Sequence, residues 1–311
     1  MIGIVSPGAM GAALGRSWEA GGARVVTTVE GRSDRTRGLA SGLTLLPTLA
    51  DVVATSTVVV SICPPGEAEA CLESILGAAA KTGATPLLAD LNAISPDLVR
   101  TLAARAEAAG LDLVDGAISG GPPVPGGDTT VYLSGARADE IAVLDADGLH
   151  RRVVGDQPGT ASAVKMCTAA IYKGTNALWT QSLRAAAELG VLEEVVDDLR
   201  VAYPDQVDRT ATRLAVTASK SGRFVDEMRQ IAATQASVGL TPSLYDAMAE
   251  VYLDVSRTPL AGTPPEAAAE LTDLACSMRC GEPQTPAADR SLSARSVDSQ
   301  VKSGSSRPKW P

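Results

Sequence analysis

One short stretch of this 311-residue chain gathers groups that move protons. Between Gln157 and Ala187 there is no acidic residue, and the charged side chains are Lys165, Lys173 and Arg184. The whole chain has six lysines, and two of them fall here. At 100° per residue, Lys165, Tyr172 and Asn176 lie within about 40° of one another on a helix. Thr168 stands at the edge of that wedge, and Lys173 well to its side. A lysine, a phenol and an amide can therefore point into one cleft. Partial burial would lower the lysine pKa toward the working pH and make Lys165 a proton donor and acceptor. The plainer alternative is a lysine that snorkels out of a buried helix. The single histidine, His150, lies beside Arg151 and Arg152 in a strand-like run, where a structural role is expected. Acid/base chemistry then falls to Lys165, with Tyr172 as the next candidate.

A second chemical signal opens the chain. The apolar run Ile2 to Val5 meets the small-residue turn Ser6-Pro7-Gly8-Ala9-Met10-Gly11, and an alanine-rich helical stretch follows up to Gly21-Gly22. Strand, tight turn and helix form the start of a dinucleotide-binding βαβ unit. A pyrophosphate needs close approach of the backbone, free N–H groups and a positive helix end. Gly8 permits the approach, and Gly11 lets the helix pack on the strand. Ser6 stands where the first glycine of G-x-G-x-x-G is expected.

Three further segments fall at strand ends, where such a fold places its ligand. Ser61-Ile-Cys63-Pro64-Pro65 and Asp90-Leu-Asn92-Ala93 are expected to line the cofactor through Cys63, Pro64 and Asn92. The loop Asp115-Gly-Ala-Ile-Ser119-Gly120-Gly121 offers N–H groups and a hydroxyl to a small polar substrate, with Thr168, Tyr172 and Asn176 facing it. The loop after the second strand holds Glu30, Arg32, Ser33, Arg35 and Arg37. Glu30 suits a ribose diol and hence NAD. The cations and hydroxyl suit a 2′-phosphate, which favours NADP through Arg32 and Ser33. A solvated charged loop is the third reading.

These groups require a scaffold, and the periodicity supplies one. Residues 1–158 alternate apolar runs with helical patterns: Ile2–Val5, Val25–Val29, Val58–Ile62, Pro86–Leu91, Leu113–Ile118 and Val131–Ser134 as strands, with helices over Ala9–Ala20, Gly66–Ala80 and Pro96–Ala109. Ser95 before Pro96 is a good N-cap. The expected fold is an α/β Rossmann-type doubly wound sheet followed by an all-α C-terminal domain. That second domain, for substrate and dimer contacts, spans 159–280. Its helices are expected over 160–190, 191–201, 205–219, 222–238, 242–256 and 264–278, with breaks at Ser221-Gly222 and elsewhere. Residues 281–311, rich in Ser, Pro, Arg, Asp and Gln, read as a disordered tail.

Composition narrows the function. The net charge of −9 argues against nucleic acid or an anionic membrane as partner. No apolar run reaches 18 residues, so no membrane span is expected. A first strand at residue 2 leaves no room for a signal peptide. Cys63, Cys71, Cys167, Cys276 and Cys280 are odd in number and form no C-x-x-C pair, which suits free thiols in a reducing cytoplasm and no metal site. Aromatics are 3%, so the core must be built from Ala, Val and Leu.

Taken in order, four motifs resemble the β-hydroxyacid dehydrogenase family, kin of 6-phosphogluconate dehydrogenase, over about residues 1–257. The family's G-x-I-G-L-G-x-M-G is matched by Gly3-Ile-Val-Ser-Pro-Gly-Ala-Met-Gly11. Its D-x-S-T-x-x-P is matched by Asp90-Leu-Asn-Ala-Ile-Ser-Pro96, and its D-A-P-V-S-G-G by Asp115-Gly-Ala-Ile-Ser-Gly-Gly121. Its G-x-x-x-x-x-K-x-x-x-N is matched at Gly159 and Lys165, with Ala169 in place of the asparagine. Its later K-D-L is replaced by Asp226-Glu227-Met228. Phe224–Tyr252 resembles a C-terminal domain found on some of these dehydrogenases. The resemblance implies a lysine acid/base, NAD or NADP, a homodimer with C-terminal helices packed across subunits, and hydride exchange with a small hydroxy or carbonyl substrate. Asn176 or Thr168 would take over the lost amide's role. An imine reductase and a nucleotide-binding regulator without turnover are the alternatives. Retention of Lys165 favours alcohol chemistry.

Overall fold

The computed structural model describes residues 1–263 and 271–278. Its elements, in order, are β1 (Ile2–Val5), α1 (Ala9–Ala20), β2 (Val25–Thr27), α2 (Asp34–Leu39), β3 (Thr44–Leu45), α3 (Leu49–Thr55) and β4 (Val58–Ser61). Next come α4 (Ala68–Thr82), β5 (Leu87–Asp90), α5 (Pro96–Ala108), β6 (Leu113–Ser119), β7 (Thr129–Ser134), α6 (Ala138–Ala142) and β8 (Leu149–Gly155). Helices α7 (Thr160–Leu189), α8 (Leu192–Ala202), α9 (Pro204–Asp208), α10 (Thr210–Ser237), α11 (Ser243–Val255) and α12 (Leu271–Ser277) complete the described chain. The expected tail over 281–311 lies outside the described residues, as does 264–270 of the last expected helix.

The strands form one eight-stranded sheet in the order β3-β2-β1-β4-β5-β6-β7-β8. Every pairing is parallel except β6 with β7. The order reverses beside β1, whose neighbours are β2 and β4, and this switch point is where such sheets bind ligands. Along β1, β4 and β5 the side chains alternate between two apolar clusters. Ile2, Ile4, Val58, Val60, Leu87 and Ala89 pack on one face; Val5, Val59 and Leu88 pack on the other. Both faces are covered by helices, so the strands read as continuous apolar runs.

Local signals explain the helix ends. Ser95 accepts a hydrogen bond from Leu98 N, with Pro96 in the first turn of α5, as the sequence predicts. Strands end at Gly155, and every described element from Thr160 onward is helical. Helix α7 starts at Gly159 with φ of 100° and stops at Gly190 with φ of 72°, backbone that glycine adopts without a Cβ penalty.

One expected break does not occur. Helix α10 runs unbroken through Ser221-Gly222. Leu214, Ala218, Ser221, Val225, Met228 and Ile231 keep a spacing of three or four residues on its buried face. Burial of that stripe outweighs the roughly 1 kcal/mol that a mid-helix glycine costs relative to alanine. Two apolar clusters follow from this packing. Met166, Ala169, Ala170 and Ala177 meet Phe224, Met228, Ile231 and Tyr252, while Leu183 and Ala187 meet Leu214, Val255 and Met278. Among the described residues no helix is long and apolar enough to cross a membrane.

Candidate functional site

The turn after β1 carries an unusual backbone. Ser6 has φ of 68°, the one positive value on a non-glycine residue among those described. The left-handed conformation that the fingerprint's first glycine would supply is thus imposed on a serine, at a cost of order 1 kcal/mol or more. The serine hydroxyl is used: Arg32 Nη2 donates to Ser6 Oγ at 2.9 Å. Pro7 is buried, while Ala9 is exposed and Met10 half-buried. A Cβ on Gly8 would meet nothing within 4 Å, whereas one on Gly11 would strike the Ser6 carbonyl at 2.6 Å and Ile62 at 2.9 Å. Gly11 is therefore required by helix–strand packing, and Gly8 faces open space. The first turn of α1 has no side-chain cap. Open room, uncapped N–H groups and a nearby guanidinium together fit a dinucleotide phosphate.

Arg37 Nε donates to the Arg32 carbonyl at 3.1 Å and steadies this loop. Ser33 caps α2 by accepting from Thr36 N at 3.3 Å, so part of its hydrogen-bonding capacity is already taken. Glu30 is exposed beside them.

Next to the turn, the ends of β4 and β5 are tied by Asn92, which is 2% exposed. Its Nδ2 donates to Asp90 Oδ2 at 2.7 Å and to Ser61 Oγ at 3.0 Å, and its Oδ1 accepts from Cys63 N at 2.6 Å. Burial pushes the Asp90 carboxyl up to about 7, against the hydrogen bonds from Asn92 that favour its charge. Asn92 thus shapes the strand-end wall, with Pro64 exposed at its rim.

Helix α7 is anchored from below by Asp115 in β6, fully buried. Its Oδ2 accepts from Gly159 N at 2.8 Å, Ser162 N at 3.0 Å and Ser134 Oγ at 3.0 Å, and its Oδ1 from Ser162 Oγ at 2.6 Å. A carboxylate from the sheet therefore caps the helix that carries Lys165. One turn on, Lys165 Nζ donates to the Ile118 carbonyl at 2.6 Å. That carbonyl directly precedes Ser119, Gly120 and Gly121, where Gly120 has φ of 116° and Thr129 Oγ1 holds the Gly121 carbonyl at 2.9 Å. The predicted lysine and the predicted substrate loop, 47 residues apart, are brought together. Burial pushes Lys165 down to about 8, helped by the charges of Lys173 and Arg223 and opposed by Glu227.

Lys173 and Glu227 form the part of the site that the helical wheel misses. Lys173 Nζ lies 2.6 Å from Glu227 Oε2, with the side chains 12% and 7% exposed. Arg223 Nε reaches Glu227 Oε1 at 3.1 Å. The Lys173 ammonium lies 5.2 Å from the centre of the Phe224 ring, and Tyr252 Oη donates to the Lys173 carbonyl at 2.7 Å. Lys173 stands aside from the Lys165 wedge because it turns toward α10. No signal along α7 alone points to this pairing.

The other predicted residues of α7 divide. Asn176 is half-buried. Tyr172 is 70% exposed. Thr168 is exposed and returns its hydroxyl to the Val164 carbonyl at 2.9 Å. His150 lies exposed on β8. A polar cavity lined by Ser219, Lys220, Ser221 and Ser256 shares Arg223 with the site but none of the predicted residues. Among the described residues no group of His, Cys, Asp and Glu could hold a metal.

Comparison with known proteins matches this layout. Residues 1–144 fit the NAD binding domain of 6-phosphogluconate dehydrogenase, and residues 186–255 fit a domain of unknown function, DUF1932. The conserved protein MTH1747, of unknown function and described as structurally similar to 3-hydroxyacid dehydrogenases, is 30% identical. The alignment covers 84% of this chain and 98% of that one, with a TM-score of 0.61. The chain belongs to the 6-phosphogluconate dehydrogenase-like, β-hydroxyacid dehydrogenase family. It is an NAD(P)-dependent oxidoreductase.

Two more distant solved structures share the fold. The 3-hydroxyisobutyrate dehydrogenase of Mycobacterium tuberculosis, solved with L-serine, is 19% identical, covering 86% of this chain and 96% of its own, with a TM-score of 0.63. An imine reductase from Myxococcus stipitatus in complex with NADP+ is 21% identical, covering 83% and 94%, with a TM-score of 0.50. No curated protein matches the chain.

Within the family pattern, the departures have physical settings. Ala169, in place of the motif asparagine, is 3% exposed and belongs to the apolar cluster with Phe224 and Met228. An amide there would need a partner that this cluster lacks. Glu227, in the segment that replaces K-D-L, has its cation supplied from α7 by Lys173.

Proposed function

We propose that this protein reduces a small carbonyl compound, or oxidises the matching alcohol, with NADP(H) as hydride carrier and Lys165 as the proton donor and acceptor. The observation that carries the reading is the 2.6 Å contact of Lys165 Nζ with the Ile118 carbonyl, which sets the ammonium at the mouth of Ser119-Gly120-Gly121. In that loop, backbone N–H groups and the Ser119 hydroxyl hold the substrate. Asp115 fixes the position of Lys165 by capping its helix.

When bound, the cofactor supplies or accepts the hydride. Ser6 to Gly11 would hold its pyrophosphate, Cys63, Pro64 and Asn92 the wall beside it, and Arg32 with Ser33 the 2′-phosphate. The Arg32 guanidinium at Ser6 Oγ supports the NADP preference, because it places a fork of donors beside the turn. During carbonyl reduction, Lys165 gives a proton to the oxygen as charge develops there. During alcohol oxidation, neutral Lys165 removes the hydroxyl proton. With the lysine near 8, oxidation rises with pH through that value and reduction falls.

We further propose a homodimer in which the helical region, 159–280, carries both substrate and subunit contacts. Ile171, Leu178 and Leu189 are 67%, 60% and 76% exposed and fall on one stripe of α7.

A panel of hydroxyacids, aldehydes, ketones and imines, followed by NADPH absorbance, tests the reading. Turnover of carbonyl or hydroxyl substrates supports it. Turnover of imines alone, or of nothing in the panel with NADPH or NADH, contradicts it.

A further inference from the structure

The proposed chemistry leaves the polar cavity on α10 unused. Its volume is about 410 Å³, within the range of small-molecule pockets. One turn of α10, Ser219 to Arg223, lines it together with Ser256, the residue that ends α11, and Ala261. Neither Lys165 nor the Ser119-Gly120-Gly121 loop belongs to it.

The room in this cavity depends on a glycine. A Cβ on Gly222 would meet nothing within 4 Å, so no neighbour requires glycine there. Inside a helix a glycine costs stability relative to alanine. Its effect at 222 is to leave the cavity open, where a longer side chain would fill it.

The cavity is also positively charged. Lys220 and Arg223 line it, and none of its lining residues is acidic. Among the described residues Lys220 forms no ion pair, whereas Arg223 is held through Nε by Glu227 at 3.1 Å, with 59% of its side chain exposed. The neighbouring carboxylates are taken: Asp226 pairs with Arg229 at 3.5 Å and Asp254 with Arg257 at 3.7 Å. In a chain of net charge −9, two cations in one recess attract an anion.

The hydroxyls of the cavity accept rather than donate. Ser221 Oγ donates to the Ala218 carbonyl at 2.8 Å, and Ser256 Oγ to the Leu253 carbonyl at 2.7 Å. Each hydrogen is committed, which leaves oxygen lone pairs for a donor on a ligand.

We propose that this cavity is a second binding site, for a small organic dianion that carries hydroxyl groups. The dianionic head, a phosphomonoester or a pair of carboxylates, lies between the Lys220 ammonium and the Arg223 guanidinium. The ligand's hydroxyls donate to Ser221 and Ser256, and its body lies over Gly222.

Isothermal titration calorimetry of the full chain, without NADPH, tests this with glycerol 3-phosphate, malate and glycerol. Saturable binding of at least one of the two dianions is expected, with none of glycerol. The dianion that binds more tightly tells a phosphate head from a carboxylate one. Lys220 is exposed, so Lys220→Ala should fold and bind about tenfold more weakly. Gly222→Leu should abolish binding and Gly222→Ala should keep it. Arg32→Ala, at the cofactor turn, should leave it unchanged.

Absence of saturable binding by both dianions overturns the proposal. Affinity unchanged in Lys220→Ala overturns it even if Gly222→Leu fails to fold. Loss of binding in Arg32→Ala alone overturns it too, because the anion then sits at the cofactor turn. These results are read without NADPH, so they stand or fall apart from the proposed function.

Discussion

Lys173 Nζ and Glu227 Oε2 lie 2.6 Å apart between two long helices, nearly out of solvent. The pair faces Lys165, which also feels Arg223 on α10 and donates to the Ile118 carbonyl of β6. The Glu227 carboxylate stabilises the ammonium form of Lys165. Glu227→Gln leaves two cations acting on Lys165 without that compensation. The Lys165 pKa should then fall further below about 8, moving the rising limb of the oxidation rate to lower pH by about one unit. The pH profile of turnover reads this directly, and an unmoved limb contradicts it. The variant should also lose stability, because Lys173 is left buried and unpaired.

Asp115 caps the helix that bears Lys165 with three hydrogen bonds and accepts a fourth from Ser134 on β7. Asp115→Ala removes the cap and leaves buried donors without partners. The expected cost is about 2–4 kcal/mol in urea unfolding. A cost well below 1 kcal/mol contradicts the capping role.

Asp90 titrates near 7 in the folded chain against an ordinary 3.8, because its charged form is buried. Its folded value is raised, so its contribution is fully present below about 3.8 and is lost as pH rises to about 7. Measured by urea unfolding at several pH values, the stability of the wild type relative to Asp90→Asn should decline across that window. A constant difference contradicts the assignment.

The parts of this architecture that depend on local periodicity could be read from the chain. The βα alternation, the Ser95-Pro96 start of α5 and the Gly159–Gly190 limits of α7 all follow from neighbours in sequence. The Lys165 position was legible for the same reason, since a charge-poor run isolates it. What was not legible depends on contacts between distant segments. Ser221-Gly222 looks like a stop until the buried stripe of α10 is known. Lys173 looks misplaced until Glu227 is set beside it from 54 residues away. Asp115 reads as part of a loop motif, and its service to Gly159 and Ser162 appears only when β6 lies under α7.

Cofactor choice should be decided at Arg32. Arg32→Ala is expected to weaken NADPH binding about tenfold or more, by roughly 1.5–3 kcal/mol, and to affect NADH far less. Fluorescence titration of both cofactors measures this. Equal losses would move the assignment to Glu30.

The central claim is that Lys165 carries the proton. Once a substrate is in hand, turnover of Lys165→Met compared with wild type tests it most directly, with cofactor affinity measured on the same preparation. A positioned proton donor contributes about 10²–10⁴-fold, so turnover should fall by that factor. Cofactor affinity should barely change, and His150→Gln should leave turnover near normal. Near-normal turnover of Lys165→Met would contradict the account and bring Tyr172 forward.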